Sequence, residues 1–436
     1  EAGFFAYLDA LNQPYTRALR VNLLLRPDGT PPCPIEGLGA PVPWAKGAYF
    51  VEGDARPGLS PLHEGGLFYM QEPSALTAVT ALDPQPGERV LDLCAAPGGK
   101  STQIAALMAG RGLLCCNEPI PSRAQILSRN IERMGVRNAV VLSAMPDALA
   151  PRFPAFFDRI LVDAPCSGEG MFRRQPEARD EWDADAPRRC ADRQMEILAQ
   201  AAKMLRPGGT MVYSTCTFND TENEGVLKRF LALHPEFSLV PFALPGLPEA
   251  KDGYLHLYPH EMRGEGHFVS RLKKADGADE ADAPVQAAPQ RKAPARAAAK
   301  GKAPAPIALP DVFSDAFAPE RLYTAGDALW MLPEGISIER LSGLRVLRTG
   351  LLLAHAEGKR SEPDHALAMA LRPEEAARTA SLTQTQALAY QAGETLSLGD
   401  LPGGYTLLCC EGVSLGWGKQ AGGLMKNHYP KGLRRR

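Results

Sequence analysis

Between residues 71 and 273, short apolar runs alternate regularly with helical stretches, and this alternation constrains the fold most strongly. The pattern predicts five strands, four helices and a closing hairpin. Such alternation is typical of a mostly parallel sheet with helices on both faces, so we expect a doubly wound α/β domain. The predicted strands are Arg89–Leu93, Gly112–Asn117, Ala139–Leu142, Phe157–Asp163 and Thr210–Ser214, the hairpin strands are Tyr254–Tyr258 and Gly266–Leu272, and the helices are Lys100–Met108, Ser122–Met134, Cys190–Leu205 and Glu222–Leu233.

The regions on either side of this domain differ from it in composition. Residues 1–70 are rich in Pro and Gly, with strand-like runs at 19–25 and 48–51, and predict a small α+β module. Residues 274–308 are dominated by Ala and Pro and have too few large apolar side chains to offset the entropy of ordering, so we expect a linker. Its basic residues suit either a polyanion contact or simple solubility. Residues 309–436 alternate polar turns with short apolar strands, predicted at Leu329–Leu332, Leu344–Leu347, Leu351–Ala354 and Tyr405–Cys409.

Composition and charge exclude several classes of protein. No apolar run reaches about 18 residues, which excludes a membrane-spanning helix. The formal net charge of −2 gives no global sign of nucleic-acid binding, so any such surface has to be local. The nine cysteines contain no C-x-x-C pair, which argues against zinc ribbons and disulfide scaffolds, and we expect a cytoplasmic protein without a metal site. The chain starts with Glu rather than Met, so we interpret its start as trimmed, and what remains contains no targeting segment.

The turn after the first predicted strand has the features of a nucleotide-type binding loop. Its small residues let the backbone approach a ligand, and the helix that follows adds partial positive charge. Twenty residues after Gly98, Glu118 closes the second strand, where a carboxylate accepts hydrogen bonds from ribose hydroxyls. The pattern is neither a dinucleotide fingerprint nor a phosphate loop, so the cofactor expected here has a ribose but no pyrophosphate, as S-adenosyl-L-methionine does. Together with Glu118, the turn favours such a cofactor site over the alternative, an ordinary strand–helix connection. The candidate cofactor-binding residues are Cys94, Ala95, Ala96, Pro97, Gly98, Gly99, Lys100 and Glu118.

Two cysteines follow neighbouring strands of the predicted sheet. Cys166 ends the segment Asp-Ala-Pro-Cys after the fourth strand, and Cys216 lies in Ser-Thr-Cys-Thr after the fifth. Ligands of open α/β sheets bind outside the carboxyl ends of the strands, so we expect both thiols to face one pocket. Spacing alone leaves three interpretations open, namely a catalytic pair, two buried structural thiols, or a redox pair.

Six longer motifs run through the chain: Arg20-Val21-Asn22, LDLCAAPGGKS, NEP, DAPCSGEGMFR, YSTCTFNDTENEG and LGWGKQAGGLMKNHYPKGLR. Their content and order resemble the RNA (cytosine-5) methyltransferases of the Nop/Sun type, and most closely the RsmF-like subgroup. The resemblance covers most of the chain outside the linker. It implies a Rossmann-like methyltransferase core at residues 71–273, and we expect an RRM-like module at 1–70, a first C-terminal part at 309–390 and a PUA-like RNA-binding region at 391–436.

The resemblance also implies covalent catalysis. C5 of cytosine is too electron-poor to take a methyl group directly from a sulfonium, and thiolate addition at C6 makes C5 enamine-like. The resemblance assigns this attack to Cys216, and it gives Cys166 a role in removing the C5 proton and releasing the product. It places Asp163 at the N3 and N4 edge of the base and makes it a candidate cofactor contact as well.

Two points qualify this assignment. In DNA cytosine-5 methyltransferases the cysteine of the Pro-Cys pair is itself the nucleophile, which here would be Cys166, whereas the downstream Glu222-Asn223-Glu224 matches the RNA type and favours Cys216. Many relatives have an acid after the third strand that contacts the adenine of the cofactor. Here Asp147 falls too late in the sequence for that role, so the adenine contact stays unassigned.

Basic residues near aromatic side chains predict where RNA is held. The segment 419–436 carries six basic residues and no acid, together with His428 and Tyr429, a combination that suits phosphate attraction and base stacking. A solvated terminus is the alternative interpretation. Arg173 and Arg174 follow the catalytic loop and are either phosphate ligands or an ordinary surface pair. The candidate RNA-binding residues are Arg173, Lys419, Lys426, Tyr429 and Lys431.

Together, these features predict an enzyme that forms 5-methylcytosine in small-subunit (16S) ribosomal RNA, with S-adenosyl-L-methionine as cofactor and either ribosomal RNA or the small ribosomal subunit as partner. The same chemistry on transfer RNA is the first alternative. A non-catalytic RNA-binding assembly factor is the second, and the joint presence of Cys166, Cys216 and Asp163 argues against it because an adaptor needs no reactive thiols.

Overall fold

The chain forms an N-terminal module, a central sheet and two C-terminal sheets within residues 2–175, 177–277, 307, 311–312, 319–357 and 360–435, which the computed structural model describes. The elements of the N-terminal module are α1 (Ala2–Leu11), β1 (Arg17–Val21), β2 (Leu38–Pro41), β3 (Ala48–Val51), α2 (Pro61–Glu64) and β4 (Phe68–Gln71). The strands form one antiparallel sheet in the order β2-β3-β1-β4. An RRM-like module would have a helix after its first strand, whereas residues 22–37 form turns; the likeness lies in the sheet and in the short helix α2 between β3 and β4.

Strand β1 ends at Val21 rather than at Leu25, where the sequence predicted its end. Asn22 explains the difference, because its Oδ1 accepts a hydrogen bond from the backbone N–H of Leu24 at 3.1 Å. A side chain that bonds its own backbone two residues on forms a turn and stops a strand. The Nδ2 of Asn22 donates to the carbonyl oxygens of Gly66 and Met134, both at 3.0 Å, and so ties the module to the central domain.

The central domain is built on a mostly parallel sheet, as the alternating pattern predicted. Its helices are α3 (Thr77–Leu82), α4 (Gly99–Leu107), α5 (Pro121–Arg133), α6 (Pro146–Leu149), α7 (Glu177–Glu181), α8 (Ala186–Met204) and α9 (Glu224–Leu233). Its strands are β5 (Arg89–Asp92), β6 (Leu113–Asn117), β7 (Ala139–Leu142), β8 (Phe157–Asp163), β9 (Leu205–Thr215), β10 (Phe237–Leu239), β11 (Tyr254–Leu257) and β12 (His267–Lys274). The order β10-β12-β9-β8-β5-β6-β7 reverses direction at β5, and this topological switch point places a ligand site at the carboxyl ends of β5 and β8.

The main difference from the predicted core lies between α8 and β9. Pro207, Gly208 and Gly209 do not separate the helix from the strand, because β9 begins directly at Leu205. They form an irregular stretch within the strand, where the pairing with β8 jumps from Leu205 to Thr210. The core also ends one residue later than predicted, because Lys274 pairs with Phe237 as the last residue of β12. Apart from residues 274–277 and 307, the expected linker lies outside the described residues.

The C-terminal region contains two further four-stranded sheets. The first sheet has the order β13-β14-β16-β17, and its strands are β13 (Leu322–Ala325), β14 (Ala328–Met331), β16 (Leu351–Glu357) and β17 (Arg360–Pro363). The neighbouring elements are α10 (Ile338–Leu341), β15 (Val346–Arg348) and α11 (His365–Ala370). The second sheet has the order β18-β19-β20-β21, and its strands are β18 (Thr379–Ser381), β19 (Gly404–Cys410), β20 (Val413–Ala421) and β21 (Leu424–Asn427). Helix α12 (Gln384–Ala392) lies between β18 and β19 in the chain. The boundary expected after residue 390 therefore falls inside α12, and the second unit starts before it. Strand β15 joins neither sheet and extends the central sheet antiparallel to β7.

The modules share hydrophobic interiors. One face of the N-terminal sheet contributes Phe50 to the core beneath the central sheet, and the other contributes Phe68 to a cluster with Tyr390 and Met425 of the second C-terminal unit. The N-terminal module is therefore packed between the central domain and the C-terminal end. Among the described helices, none is long and apolar enough to cross a membrane. The described residues also contain no group of three or more His, Cys, Asp or Glu side chains placed to hold a metal ion.

Candidate active site

The loops after β8 and β9 bring the two cysteines together. The Sγ atoms of Cys166 and Cys216 are 3.2 Å apart, and both residues are half-buried rather than enclosed in the core. The loops are joined by the backbone N–H of Gly170, which donates to the carbonyl oxygen of Cys216 at 2.8 Å, and by the hydroxyls of Ser167 and Thr217, which are 2.9 Å apart. The two thiols therefore face one pocket at the carboxyl edge of the sheet, the position expected from their strands.

Two carboxylates that the sequence analysis did not select hold these loops in place. Glu169 accepts hydrogen bonds from the backbone N–H groups of Phe218 and Asn219, at 2.8 and 3.1 Å. Glu222 is fully buried and accepts from the N–H of Ser167 and from the side chains of Asn219 and Gln194. Each carboxylate thus bridges the Cys166 loop to the Cys216 loop. The DAPCSGEG and NDTENEG motifs contain both residues, but only the fold shows that they meet.

Asp163 occupies the centre of a polar cluster beside the thiols. Its carboxylate accepts hydrogen bonds from Lys100 Nζ at 2.7 Å and from the hydroxyl of Ser214 at 2.8 Å, and His267 Nε2 lies 3.5 Å from it. Burial alone would raise the pKa of Asp163, but the charge of Lys100 and the contact with His267 outweigh it and hold that pKa well below its ordinary value. Asp163 is therefore an anion at neutral pH. Ser214 and His267 were not selected from the sequence, since neither residue type nor spacing marks them.

The surroundings of the two thiols differ in charge. Burial lowers the pKa of Lys100, but the interactions with Asp163 and Cys216 raise it by a larger amount. Lys100 therefore stays an ammonium, and its charge acts on Cys216. The hydrogen bond to Cys216 raises the pKa of the Cys166 thiol well above its ordinary value, and burial and the charge of Glu222 act in the same direction. A cation therefore acts on the Cys216 sulfur, whereas the carboxylate of Glu222 acts on the Cys166 sulfur.

The loop 94–100 connects β5 to α4 and leaves the start of that helix open. Gly98 precedes the helix with a φ of 112°, which favours glycine, and no side chain caps the first turn. The loop is held from outside by Asn130 Nδ2, which donates to the carbonyl oxygen of Pro97 at 2.9 Å. Beneath it, the fully buried Asp92 accepts a hydrogen bond from the Ser101 hydroxyl at 2.6 Å, and burial raises its pKa to about 7.

Glu118 lies at the end of β6, next to this loop. It is 3% exposed, and its two oxygens receive the backbone N–H of Ile120 at 3.0 Å and the guanidinium of Arg123 at 3.4 Å. Arg123 also donates to the carbonyl oxygen of Ala96 at 3.2 Å and so links Glu118 to the loop. Asp147 is exposed in the first turn of α6.

Of the predicted RNA-binding residues, Arg173 has a different environment from the expected one. Its guanidinium forms two 2.7 Å hydrogen bonds with the buried Glu265 and donates to the carbonyl oxygens of Ala10 and Gly264, both at 2.9 Å. The two side chains are 8% and 2% exposed. A guanidinium committed in this way is not available to a phosphate, so the structure assigns Arg173 a bridging role, whereas Arg174 is exposed.

The C-terminal candidates divide into buried and exposed residues. Tyr429 is 3% exposed and packs in the cluster shared with the N-terminal module, so the expected base-stacking surface at this side chain is not present. Lys426 and Lys431 are exposed, and Lys419 Nζ lies 4.6 Å above the ring of Tyr405. The tail is therefore an integral part of the fold that carries lysines on its surface.

The ion pair of Arg173 and Glu265 leads to a prediction about stability. We expect Arg173→Ala to destabilise the protein by about 3 kcal/mol or more, because it leaves the buried Glu265 carboxylate without its cation. The neighbouring Arg174→Ala is the matched control and should change the free energy of unfolding by less than about 0.5 kcal/mol. Urea denaturation followed by tryptophan fluorescence measures both. Equal stability of the two variants would contradict the bridging role.

Four family models match consecutive parts of the chain. They are described as the N-terminal domain of 16S rRNA methyltransferase RsmF at residues 1–73, 16S rRNA methyltransferase RsmB/F at 79–273, the RsmF rRNA methyltransferase first C-terminal domain at 310–371, and the methyltransferase RsmF PUA domain at 377–435.

Curated relatives match the chain over nearly its whole length. Ribosomal RNA small subunit methyltransferase F of Erwinia tasmaniensis is 33% identical over 99% of this chain and 93% of its own length. The protein of the same name from Enterobacter sp. is 35% identical over 99% of this chain and 92% of its own. Among solved structures, a methyltransferase homologue from Pyrococcus horikoshii is 30% identical with a TM-score of 0.52, covering 62% of this chain and 90% of its own.

Proposed function

Because this chain belongs to the RsmF family of 16S rRNA methyltransferases, we propose that it methylates C5 of a cytosine in small-subunit ribosomal RNA through a covalent bond between Cys216 and C6. Membership makes the chain a methyltransferase. The observation that carries the covalent mechanism is the 3.2 Å separation of the two sulfurs beside the ion pair of Asp163 and Lys100. A pair of structural thiols would need neither an adjacent ammonium nor an ionised carboxylate.

Cys216 is the nucleophile in this proposal. Its thiolate is stabilised by the ammonium of Lys100 and by the hydrogen bond from the Cys166 thiol. The anion Glu222 behind Cys166 works against ionisation of that sulfur, which supports the RNA-type assignment over the DNA-type assignment. Addition of the Cys216 sulfur to C6 pushes electrons toward C5, the carbon that accepts the methyl group.

Asp163 orients the base and stabilises the charge that develops on it. Its carboxylate is fixed by Lys100 and Ser214, so it meets the base without reorganising. An ionised carboxylate accepts a hydrogen bond from the exocyclic amino group of cytosine at N4. A base protonated at N3 donates a second hydrogen bond to the same carboxylate, and its positive charge offsets the electrons that the sulfur adds to the ring.

The residues of the 94–100 loop fit S-adenosyl-L-methionine, which supplies an activated methyl group when bound. The uncapped start of α4 provides backbone N–H donors for a carboxylate, and Glu118 provides the acceptor for ribose hydroxyls. Gly99 lets α4 start close against β4, because a Cβ there would lie 3.3 Å from the side chains of Tyr69 and Gln71. Arg123 holds Glu118 against the loop in this arrangement.

The proposed function is tested by transfer of a labelled methyl group to purified RNA. We expect incorporation into 16S ribosomal RNA, free or within the small subunit, at a cytosine that bisulfite sequencing then reports as protected. Transfer RNA and double-stranded DNA serve as controls and should remain unlabelled. Preferential labelling of transfer RNA would move the activity to the alternative substrate, and binding of RNA without any incorporation would identify an assembly factor instead of an enzyme.

A further inference from the structure

An open groove lies beside the thiol pocket, between helix α1 and the loops of the central domain. Its volume is about 420 Å³, within the range of ligand sites in proteins. Four segments meet there: the first two turns of α1, the Cys166 loop, the stretch just after Cys216, and the turn after β11. The side chains that line the groove are those of Phe4, Tyr7, Glu169, Phe218, Asn219, Tyr258 and His260.

Aromatic rings form the floor and walls of this groove. The ring of Phe218 lies 5.6 Å from that of Tyr7 and 5.4 Å from that of Tyr258. His260 closes the circle, 5.7 Å from Tyr258 and 6.1 Å from Tyr7. These four residues are only half-buried, and Phe4 at the rim is 61% exposed. A connected set of partly exposed rings is a surface on which planar groups can stack.

The floor of the groove is rigid and continuous with the catalytic loops. Phe218 is two residues beyond Cys216, and its backbone N–H is held by Glu169 on the Cys166 loop at 2.8 Å. Its ring rests on Gly266, where a Cβ would lie 2.5 Å from the ring carbons. The Phe218 ring therefore lies next to the pocket that the target base would enter.

Charges of both signs surround the groove, because the carboxylates of Glu169, Glu224 and Glu261 act on Tyr258 and one guanidinium acts on Tyr7. Glu169 lines it, but its oxygens already accept hydrogen bonds from Phe218 and Asn219. Arg179 is exposed on α7, and its charge lowers the pKa of the Tyr7 phenol, but burial and the charge of Glu169 outweigh it and raise that pKa. Aromatic side chains with a nearby exposed cation are the combination by which proteins hold unpaired nucleotides.

We propose that this groove binds unpaired ribonucleotides next to the target cytosine, with their bases stacked on Tyr7, Phe218 and Tyr258. The inference rests on the proposed function and extends it, since it names the surface that holds the flanking strand. It also gives α1 a direct role in substrate binding. The continuity with the thiol pocket favours RNA over a peptide or a second copy of the chain, both of which the experiment separates.

The test compares two adjacent phenylalanines of α1. Phe4 lines the groove, whereas Phe5, which is 63% exposed, does not, so Phe4→Ala and Phe5→Ala form a matched pair. Tyr7→Ala removes a central ring, and Tyr7→Phe keeps it. The probe is a short single-stranded RNA with one cytosine and a neighbouring 2-aminopurine, whose fluorescence is quenched when the base stacks.

We expect quenching with the wild-type protein and with Tyr7→Phe and Phe5→Ala, and its loss with Tyr7→Ala. Tyr7→Ala should weaken RNA binding by about five- to 150-fold, the effect of removing one stacked base, and Phe4→Ala should weaken it less because its ring lies at the rim. Affinity for the methyl donor should stay unchanged in all variants. These readouts measure binding, so they remain valid even if methyl transfer to ribosomal RNA fails and the proposed function is wrong.

Three results would overturn the inference. They are equal RNA affinities of Tyr7→Ala and Phe5→Ala, quenching that survives loss of the Tyr7 ring, and a concentration-dependent dimer that Tyr7→Ala dissociates without an effect on RNA. The last result, measured by sedimentation, would make the groove a self-association surface. Tyr7→Phe should keep the thermal stability of the wild-type protein. It therefore serves as the folded reference against which the loss of RNA affinity in Tyr7→Ala is measured.

Discussion

Replacement of Cys216 by alanine should reduce methyl transfer by about 10⁴-fold or more, the scale seen when a covalent nucleophile is removed. The sulfur of Cys216 combines a half-exposed position with the charge of the Lys100 ammonium acting on it. Without it, C5 of the base stays too electron-poor to accept a methyl group. Transfer of a labelled methyl group to 16S ribosomal RNA measures the effect.

The matched control for this variant is Cys33→Ala. Cys33 is also half-exposed, but it lies in the N-terminal module, where burial raises its pKa, and it contacts neither thiol of the pocket. We expect Cys33→Ala to keep wild-type turnover. RNA and donor affinities of Cys216→Ala should also be retained, because the loops are held by Glu169 and Glu222 and not by the sulfur. Substantial turnover in Cys216→Ala would refute the covalent mechanism.

The central sheet and the meeting of the two cysteines could be predicted because both follow from periodicity. Strands such as Ala139–Leu142 and Phe157–Asp163 are buried apolar runs, and they appear in the structure with the predicted bounds. The carboxyl ends of parallel strands share one edge, so residues that follow β8 and β9 have to converge. This reasoning needs only the order of elements and no knowledge of side-chain contacts.

Features that depend on contacts across long sequence separations could not be predicted in this way. Arg173 reads as a surface cation, but it is neutralised by Glu265, 92 positions later, and nothing local marks the pair. Tyr429 reads as a stacking platform, but its ring is buried against the N-terminal module. Strand β15 was predicted as part of the C-terminal region, and only the fold shows that it extends the central sheet beside β7. Amphipathic patterns tell which side chains are buried, not which module covers them.

The same limit applies within the active site. His267 belongs to a strand that was predicted, but its proximity to Asp163 arises from the antiparallel pairing of β12 with β9. Glu222 lies in a recognised motif, yet its function as a buried bridge between both cysteine loops depends on the packing of Gln194 from α8. Motifs thus identify the residues that act on substrate more readily than those that hold them.

Cys166→Ala should make a covalent complex of protein and RNA accumulate, detectable as a band of reduced mobility in denaturing electrophoresis with labelled RNA. In the free enzyme, the hydrogen bond that the Cys166 thiol donates to Cys216 is the main reason for its raised pKa. In the proposed mechanism, bonding of the Cys216 sulfur to C6 weakens this hydrogen bond, and the pKa of Cys166 falls. Cys166 can then ionise and remove the proton from methylated C5.

In the proposed mechanism, removal of that proton completes the reaction, because the C–H electrons form the C5–C6 double bond while the C6–S bond breaks and the electron pair returns to Cys216. The Cys166 sulfur lies 3.2 Å from the Cys216 sulfur, and no other described cysteine is placed for this step. Cys166→Ala therefore halts the reaction after addition, and the adduct persists. The double variant Cys166→Ala with Cys216→Ala is the control and should give no adduct, because nothing attacks C6. Rapid multiple turnover by Cys166→Ala without a retained complex would show that another base performs the release.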